Sequence, residues 1–237
     1  VEILMSGDAG HLNKQQTEYL QQIYDGNQRM IKLVNSLLNV SRIDLGKFIN
    51  EPTPNSIKQI LNSLEREMSS QITTKKLNIS TNIKSDVPPI AIDSKLFRIV
   101  IQNLLSNAVK YTSENGKIAI NVRRATPADH PPHKAHSHKE SILISISDTG
   151  FGIPKAQQVH IFEKLFRADN ARVKDVEGNG LGLYLVQQII LRLGGNIWFE
   201  STENVGSTFY VTIPVNTKSI LSITKVSNTW YNFIREE

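Results

Sequence analysis

The 237-residue chain contains no cysteine, which excludes a disulfide framework and any thiolate-held metal. That absence fits a reducing compartment. No apolar run approaches the roughly 20 residues of a membrane-spanning helix, and no secretory leader is visible. Methionine is missing from the first position; the chain opens on Val1, which points to a piece of a longer protein. Dense Lys/Arg runs with interleaved aromatics are also missing, so the net charge of +5 reads as scattered solvated lysines and not as a nucleic-acid surface. Two common phosphate-binding patterns do not occur: there is neither a G-x-x-x-x-G-K-[ST] loop nor G-x-G-x-x-G spacing. The H-R-D and D-F-G pair of Ser/Thr/Tyr-type kinases is lacking as well.

What remains is ordinary globular material. An apolar fraction of 39% is enough to bury a core over this length. One large domain, or one domain with a helical appendage, accommodates it. Val1 to Met5 reads as the tail of a helix, broken by Gly7 and Gly10. Asn13 with Gln16 forms a capping box, and the helix it starts runs to about Asp44. Leu20, Ile23, Met30, Val34 and Leu37 step by threes and fours along a coiled-coil-like seam, widened by Ile31, Leu38 and Leu45. Such a stripe packs on its own domain or on another chain.

The stretch Glu51-Pro52-Thr53-Pro54 reads as a linker. Ser56 with Gln59 caps a second helix, and Leu77 to Ile83 alternates as a strand. Asp93 caps a third helix that continues to about Thr112. Asn115-Gly116 is a hairpin-type turn signal. Lys117 to Arg123 and Ser141 to Ser147 alternate as two adjacent antiparallel strands. Leu181 to Leu193 is a helix stopped by Gly194-Gly195, and two strands follow, joined at Asn204-Val205-Gly206. These runs predict an α+β fold: a two-layer α/β sandwich whose mixed, largely antiparallel sheet is covered on one face by helices. The 124–140 insertion carries His130, His133, His136 and His138 without cysteine or carboxylate partners beyond Asp129, so it reads as a polar loop and not as a metal site. The tail after Val215 is not obviously part of the sheet; its Trp230, Tyr231 and Phe233 suggest a short docking helix or the start of a further segment.

Two glycine-rich turns carry chemistry. Asp148-Thr149-Gly150-Phe151-Gly152-Ile153 follows an apolar strand, and Gly178-Asn179-Gly180-Leu181-Gly182-Leu183 opens directly into a helix. A carboxylate at Asp148 can accept from an exocyclic amine, which adenine has and guanine lacks at that position. It is otherwise a common turn starter. Backbone N–H groups at the start of the later helix favour phosphate. Upstream, Asn103, Asn107, Lys110 and Tyr111 share one helix face. That face offers an oxygen ligand for a hard divalent ion at Asn107, a positive charge for phosphate and an aromatic wall.

Five segments in order then resemble a known pattern. The chain is similar to the ATP-binding catalytic domain of bacterial sensor histidine kinases, of the GHKL ATPase fold. Residues 103–112 match its N box, 148–153 its first glycine box, 161–167 its F box, 178–183 its second glycine box and Gly206-Ser207-Thr208 its third. The segment from Tyr19 to Lys47 resembles the second helix of the family's dimerisation and phosphotransfer hairpin. The resemblance implies three regions: a truncated hairpin at 1–50, a catalytic domain at 51–216 and a tail at 217–237.

It also implies roles. Asn107 would bind Mg²⁺, with Asn103 supporting the metal and phosphates. Lys110 would meet phosphate and Tyr111 would line the base. Asp148 would hold the adenine amine, beside Gly150, Gly152 and Ile153, with Thr208 helping through water. Residues 166–180 would form a mobile lid in which Phe166, Arg167 and Arg172 approach the nucleotide. Gly178, Gly180, Leu181, Gly182 and Leu183 would complete the ATP site. GHKL hydrolases carry a glutamate where this chain has Asn103, so no base is placed to activate water, and phosphoryl transfer to a histidine is favoured over hydrolysis. The expected partners are ATP, a response regulator receiver domain and a second copy through the hairpin, in a cytoplasmic setting. The family's acceptor histidine is expected to be absent: neither His11 nor His160 has its context, so the chain would bind ATP without phosphorylating itself on the usual residue. A non-catalytic ATP-binding dimer scaffold, and a GHKL kinase acting on another protein, are the alternatives.

Overall fold

The computed structural model describes residues 1–8, 10–45, 53–129, 140–173 and 178–215, without the side chains of 172 and 173. The histidine-bearing part of the insertion, residues 174–177 of the expected lid and the tail from 216 lie outside the described residues, as do Glu51 and Pro52 of the expected linker. Two compact units emerge, Val1–Leu45 and Gly46–Glu237.

The first unit is helical. A short helix α1, Glu2–Met5, precedes the long α2, Lys14–Asp44. The capping box is present: Gln16 N–H donates to Asn13 Oδ1 and Asn13 N–H to Gln16 Oε1, each at 2.9 Å. This satisfies two of the backbone donors that a helix start leaves without partners. Ile23, Met30, Val34 and Leu37 of the predicted seam are all exposed.

The second unit contains β1 (Thr53–Asn55), α3 (Ile57–Glu67), α4 (Ser69–Thr74), β2 (Asn78–Ile83), β3 (Ile90–Ile92) and α5 (Ser94–Tyr111). It continues with β4 (Lys117–Arg124), β5 (Ser141–Asp148), a 3₁₀-helix (Lys155–His160), α6 (Asp169–Val173), α7 (Gly182–Arg192), β6 (Asn196–Thr202) and β7 (Gly206–Pro214). Five strands form one sheet in the order β2-β4-β5-β7-β6. β2 runs parallel to β4, with Ile79 opposite Ile118, and the remaining pairs are antiparallel.

Alternation fixes the faces. Ile118, Ile120 and Val122 of β4, Ile142, Ile144 and Ile146 of β5, and Phe209, Val211 and Ile213 of β7 are buried on one side. α5 packs on β5 and on α7, which in turn packs on β6 and β7. Phe97, Ile101, Leu104, Leu105 and Ala108 recur at helical spacing and are buried. Each large side chain so removed from water contributes about 1.5–3 kcal/mol. The sandwich is the predicted one, a mixed sheet with helices.

Three local expectations are corrected. Asn115-Gly116 does not close a hairpin: it joins α5 to β4, with Asn115 at φ 59° and its N–H donating to Lys75 O at 2.9 Å. α5 has already ended at the extended Thr112, and the left-handed Asn115 turns the connection into β4. Ser56 occupies the cap position of α3 but makes no side-chain cap bond; its carbonyl takes the first helical N–H groups instead. Thr53 and Pro54, read as linker, form β1, which pairs antiparallel with β3 through Thr53 opposite Ile92. Proline is tolerated there because the pair has only edges.

Candidate nucleotide site

The site is built where the end of α5, the turn after β5 and the start of α7 converge. α5 is fixed at its start by Asp93, whose Oδ1 accepts from Lys95 N–H at 2.8 Å and Leu96 N–H at 3.2 Å. Asn103, Asn107, Lys110 and Tyr111 are half-buried along it, with apolar neighbours facing the core. Asn103 donates through Nδ2 to Ile99 O at 2.7 Å. Its Oδ1 lies 2.7 Å from where a Cβ at Gly182 would stand, so a glycine is what lets α7 begin against Asn103. No side chain caps the start of α7, and the N–H groups of its first turn are suited to an anion. Asn179 Oδ1 accepts from Leu181 N–H at 3.1 Å, shaping the approach to that turn, and Leu181 is buried while Leu183 is half-buried.

Asp148 closes β5. Its Oδ1 accepts from Gly150 N–H at 2.8 Å and Ser207 N–H at 3.3 Å. Burial pushes its pKa up to about 6, against the pull of those two bonds. A side chain at Gly150 would overlap the carbonyl oxygen of Tyr111, so that glycine lets the turn close on the end of α5. The Phe151 ring meets Tyr111 edge-on at 5.5 Å between centroids. Burial raises the Tyr111 pKa, and the charge of the F-box residue Arg167 lowers it. Gly178 also approaches the Tyr111 hydroxyl, and Gly180 folds against Leu165 and Phe166. Phe166 itself lies 5.6 Å from the His160 ring. Gly152 O accepts from Asn170 Nδ2 at 3.0 Å, and Ile153 N–H donates to Ser201 Oγ at 2.9 Å. Arg172 is within α6, and its side chain lies outside the described residues.

Thr208 is not beside Asp148. Asp148 pairs with Ser207, and Ser147 with Thr208. Strand alternation therefore sends Thr208 to the face opposite Asp148, where its hydroxyl donates to Ser147 Oγ at 2.9 Å. The hydroxyl next to Asp148 in the register is that of Ser207, which contacts Ser201 Oγ at 2.9 Å. Ser201 and Ser207 were missing from the expected set. The parity of buried Phe209, Val211 and Ile213 was the available signal, since Ser207 shares their face.

Mg²⁺ and ATP suit these residues chemically. Among the described residues no cluster of three histidines or carboxylates could hold a metal alone. An ion here would take an amide oxygen such as that of Asn107 and complete its shell from phosphates and water. The carboxylate, the aromatic pair and the helix start present three different chemistries, which match an amine-bearing base and a polyanion.

The chain is 34% identical over 212 residues to the circadian input-output histidine kinase CikA of Synechococcus elongatus, covering 88% of this chain and 26% of that protein. It is 35% identical over 200 residues to the adaptive-response sensory kinase SasA of Gloeothece citriformis, covering 82% and 47%. It is 33% identical to the signal transduction histidine-protein kinase BarA of Escherichia coli, covering 84% and 21%. The chain thus spans half or less of each of these relatives. In fold it resembles full-length ShkA, solved with AMPPNP, at a TM-score of 0.71 and 23% identity over 89% of this chain and 41% of that one. It also resembles ThkA, solved with the response regulator protein TrrA, at a TM-score of 0.63 and 22% identity over 92% and 58%. Residues 92–217, a span that includes α5 through β7, match the family described as histidine kinase-, DNA gyrase B- and HSP90-like ATPases. With more than half its length matched, and the glycine turns standing around the asparagine-bearing helix, the chain belongs to that ATPase family.

Proposed function

We propose that this chain binds Mg-ATP and is the catalytic portion of a sensor histidine kinase, which passes the γ-phosphoryl group to a histidine and then to a response-regulator aspartate. The observation that carries the reading is Asn103. It sits at the mouth of α7, where the hydrolases of the family place a glutamate, and an amide cannot deprotonate water. With no base for water, the arrangement favours holding the triphosphate for another acceptor, by positioning and electrostatic stabilisation. CikA, SasA and BarA, all named as sensory or signalling kinases, support this class.

In this reading Asp148 accepts from the adenine amine and Tyr111 with Phe151 walls the base. Ser207, in place of Thr208, supplies the hydroxyl beside the carboxylate. The start of α7, Lys110 and Arg167 meet the phosphates, with Arg172 reaching from the lid. Asn107 and Asn103 serve the Mg²⁺ that neutralises phosphate charge. Residues 1–50 belong to a dimerising hairpin, 51–216 to the catalytic domain and 217–237 to a tail. The hairpin of a longer parent supplies the acceptor histidine and the second copy. The chemistry belongs in the cytoplasm, where ATP is found; no described helix is long and apolar enough to cross a membrane.

Calorimetry with Mg-AMPPNP tests the nucleotide assignment. Asn107→Asp and Asp148→Ala are each expected to weaken binding at least about tenfold, a loss of about 1.4 kcal/mol. Unchanged affinity in both variants would refute the site.

A further inference from the structure

The last turn of α5 is held by a residue of another element, outside the set proposed to meet the nucleotide. A helix end leaves its final carbonyls without intrahelical donors. Here Lys75, at the end of α4, directs Nζ onto three of them: Val109 O at 2.9 Å, Lys110 O at 2.8 Å and Thr112 O at 3.0 Å. An ammonium has three N–H donors, and three acceptors are met. The two carbonyls between and before them are taken elsewhere. Ala108 O accepts from Thr112 N–H and from the buried Thr112 hydroxyl at 2.6 Å. Tyr111 O accepts from Phe151 N–H at 3.4 Å, a bond from the glycine turn itself. The backbone around Lys75 is tied to the same place, because its carbonyl takes Asn115 N–H at 2.9 Å. A cation at a helix C-terminus also complements the helix dipole. Burial lowers the pKa of Lys75, and Glu114 raises it.

We propose that Lys75 is a positioning residue for the nucleotide site: its ammonium group locks the last turn of α5, and so places Lys110 and Tyr111 against the ligand. Lys75 holds the carbonyl of Lys110 itself and those of Val109 and Thr112 on either side of the Lys110–Tyr111 pair, and the glycine turn closes on the Tyr111 carbonyl between them. Loss of the ammonium leaves three C-terminal carbonyls seeking other donors and frees the turn that bears both ligand-facing side chains. The inference rests on the ATP-binding reading.

The absence of cysteine makes the test clean. Mg-AMPPNP affinity is measured on the full chain for Lys75→Met, for the milder Lys75→Gln, which keeps an N–H donor, and for Lys75→Cys before and after alkylation with bromoethylamine, which rebuilds a lysine-length ammonium. Circular dichroism confirms the fold of each, and Asp148→Asn serves as the site control. The expected result is about tenfold weaker binding in Lys75→Met, a smaller loss in Lys75→Gln and recovery to within about twofold on alkylation. In a Tyr111→Ala background, Lys75→Met should cost clearly less than in the native chain, because only its effect through Lys110 remains and coupled residues are not additive. Folded Lys75 variants that bind like the native chain, while Asp148→Asn does not bind, would overturn the proposal and leave the ATP site standing. Losses that simply add to that of Tyr111→Ala would overturn it too. Failure of the native chain to bind at all would remove the ATP reading and this inference together.

Discussion

At the scale of single residues, Asp148 concentrates the conflict between stability and function. Its pKa lies at about 6 in the fold against an ordinary value of 3.8. Between those values the native state binds more protons than the unfolded chain, so this group's contribution to stability falls as pH rises from about 4 to about 6. Above that window the ionised carboxylate costs about 3 kcal/mol. Asp148→Asn keeps an oxygen for the Gly150 and Ser207 N–H groups and removes the charge. It is therefore expected to raise the melting temperature at pH 7 to 8 while abolishing detectable nucleotide binding. The native chain, by contrast, should lose ATP affinity as pH falls below about 6, since a protonated carboxyl no longer accepts from the amine as strongly. A titration that is flat from pH 7.5 to 5 would contradict the role. The neighbouring hydroxyls make a second, sharper contrast. Ser207→Ala should weaken nucleotide binding about fivefold, one hydrogen bond's worth, and Thr208→Ala should leave it within about twofold, because Thr208 bonds Ser147 on the other face. The reverse order of effects, read by calorimetry, would restore Thr208 to the site.

At the scale of elements, α5 is pinned at both ends for different purposes. Asp93 satisfies the N–H groups at its start, and Asp93→Ala should cost about 1 kcal/mol in denaturant unfolding with ATP affinity unchanged where the chain is folded. Lys75 holds the end that carries Lys110 and Tyr111, and there affinity should move. Much of this was legible in the sequence. The caps at Asn13 and Asp93 announce themselves locally, because one short polar side chain before an apolar period is enough to specify a start. The asparagine face of α5 and the glycine turns were legible for the same reason: their residues are close in sequence. The partners that come from afar were not. Lys75 lies 34 residues before the first carbonyl it bonds, and nothing in a lysine flanked by another lysine reveals a helix end waiting elsewhere. The misplacement of Thr208 has a different origin. A motif fixes a residue's position along a strand, but the face depends on parity with buried neighbours, and in Ser207-Thr208-Phe209 a shift of one residue moves the hydroxyl across the sheet.

At the scale of the whole molecule, the chain divides into a helical unit and an α/β unit. The α/β unit brings the residues proposed to hold a nucleotide into one region. The helical unit exposes the seam of Ile23, Met30, Val34 and Leu37; in the proposed reading a hairpin partner packs on that face. In the proposed reading, the acceptor histidine is supplied by a hairpin helix outside this chain. Phosphotransfer in trans tests this most directly. The chain is mixed with an isolated dimeric hairpin bearing the acceptor histidine and with γ-labelled Mg-ATP, and the label on the hairpin is followed through acid and base treatment. The account predicts label that is lost in acid and kept in base, as a phosphohistidine is, appearing on the hairpin only and disappearing with Asp148→Asn. Tight nucleotide binding with no label on the hairpin, or label released only as inorganic phosphate, would contradict it.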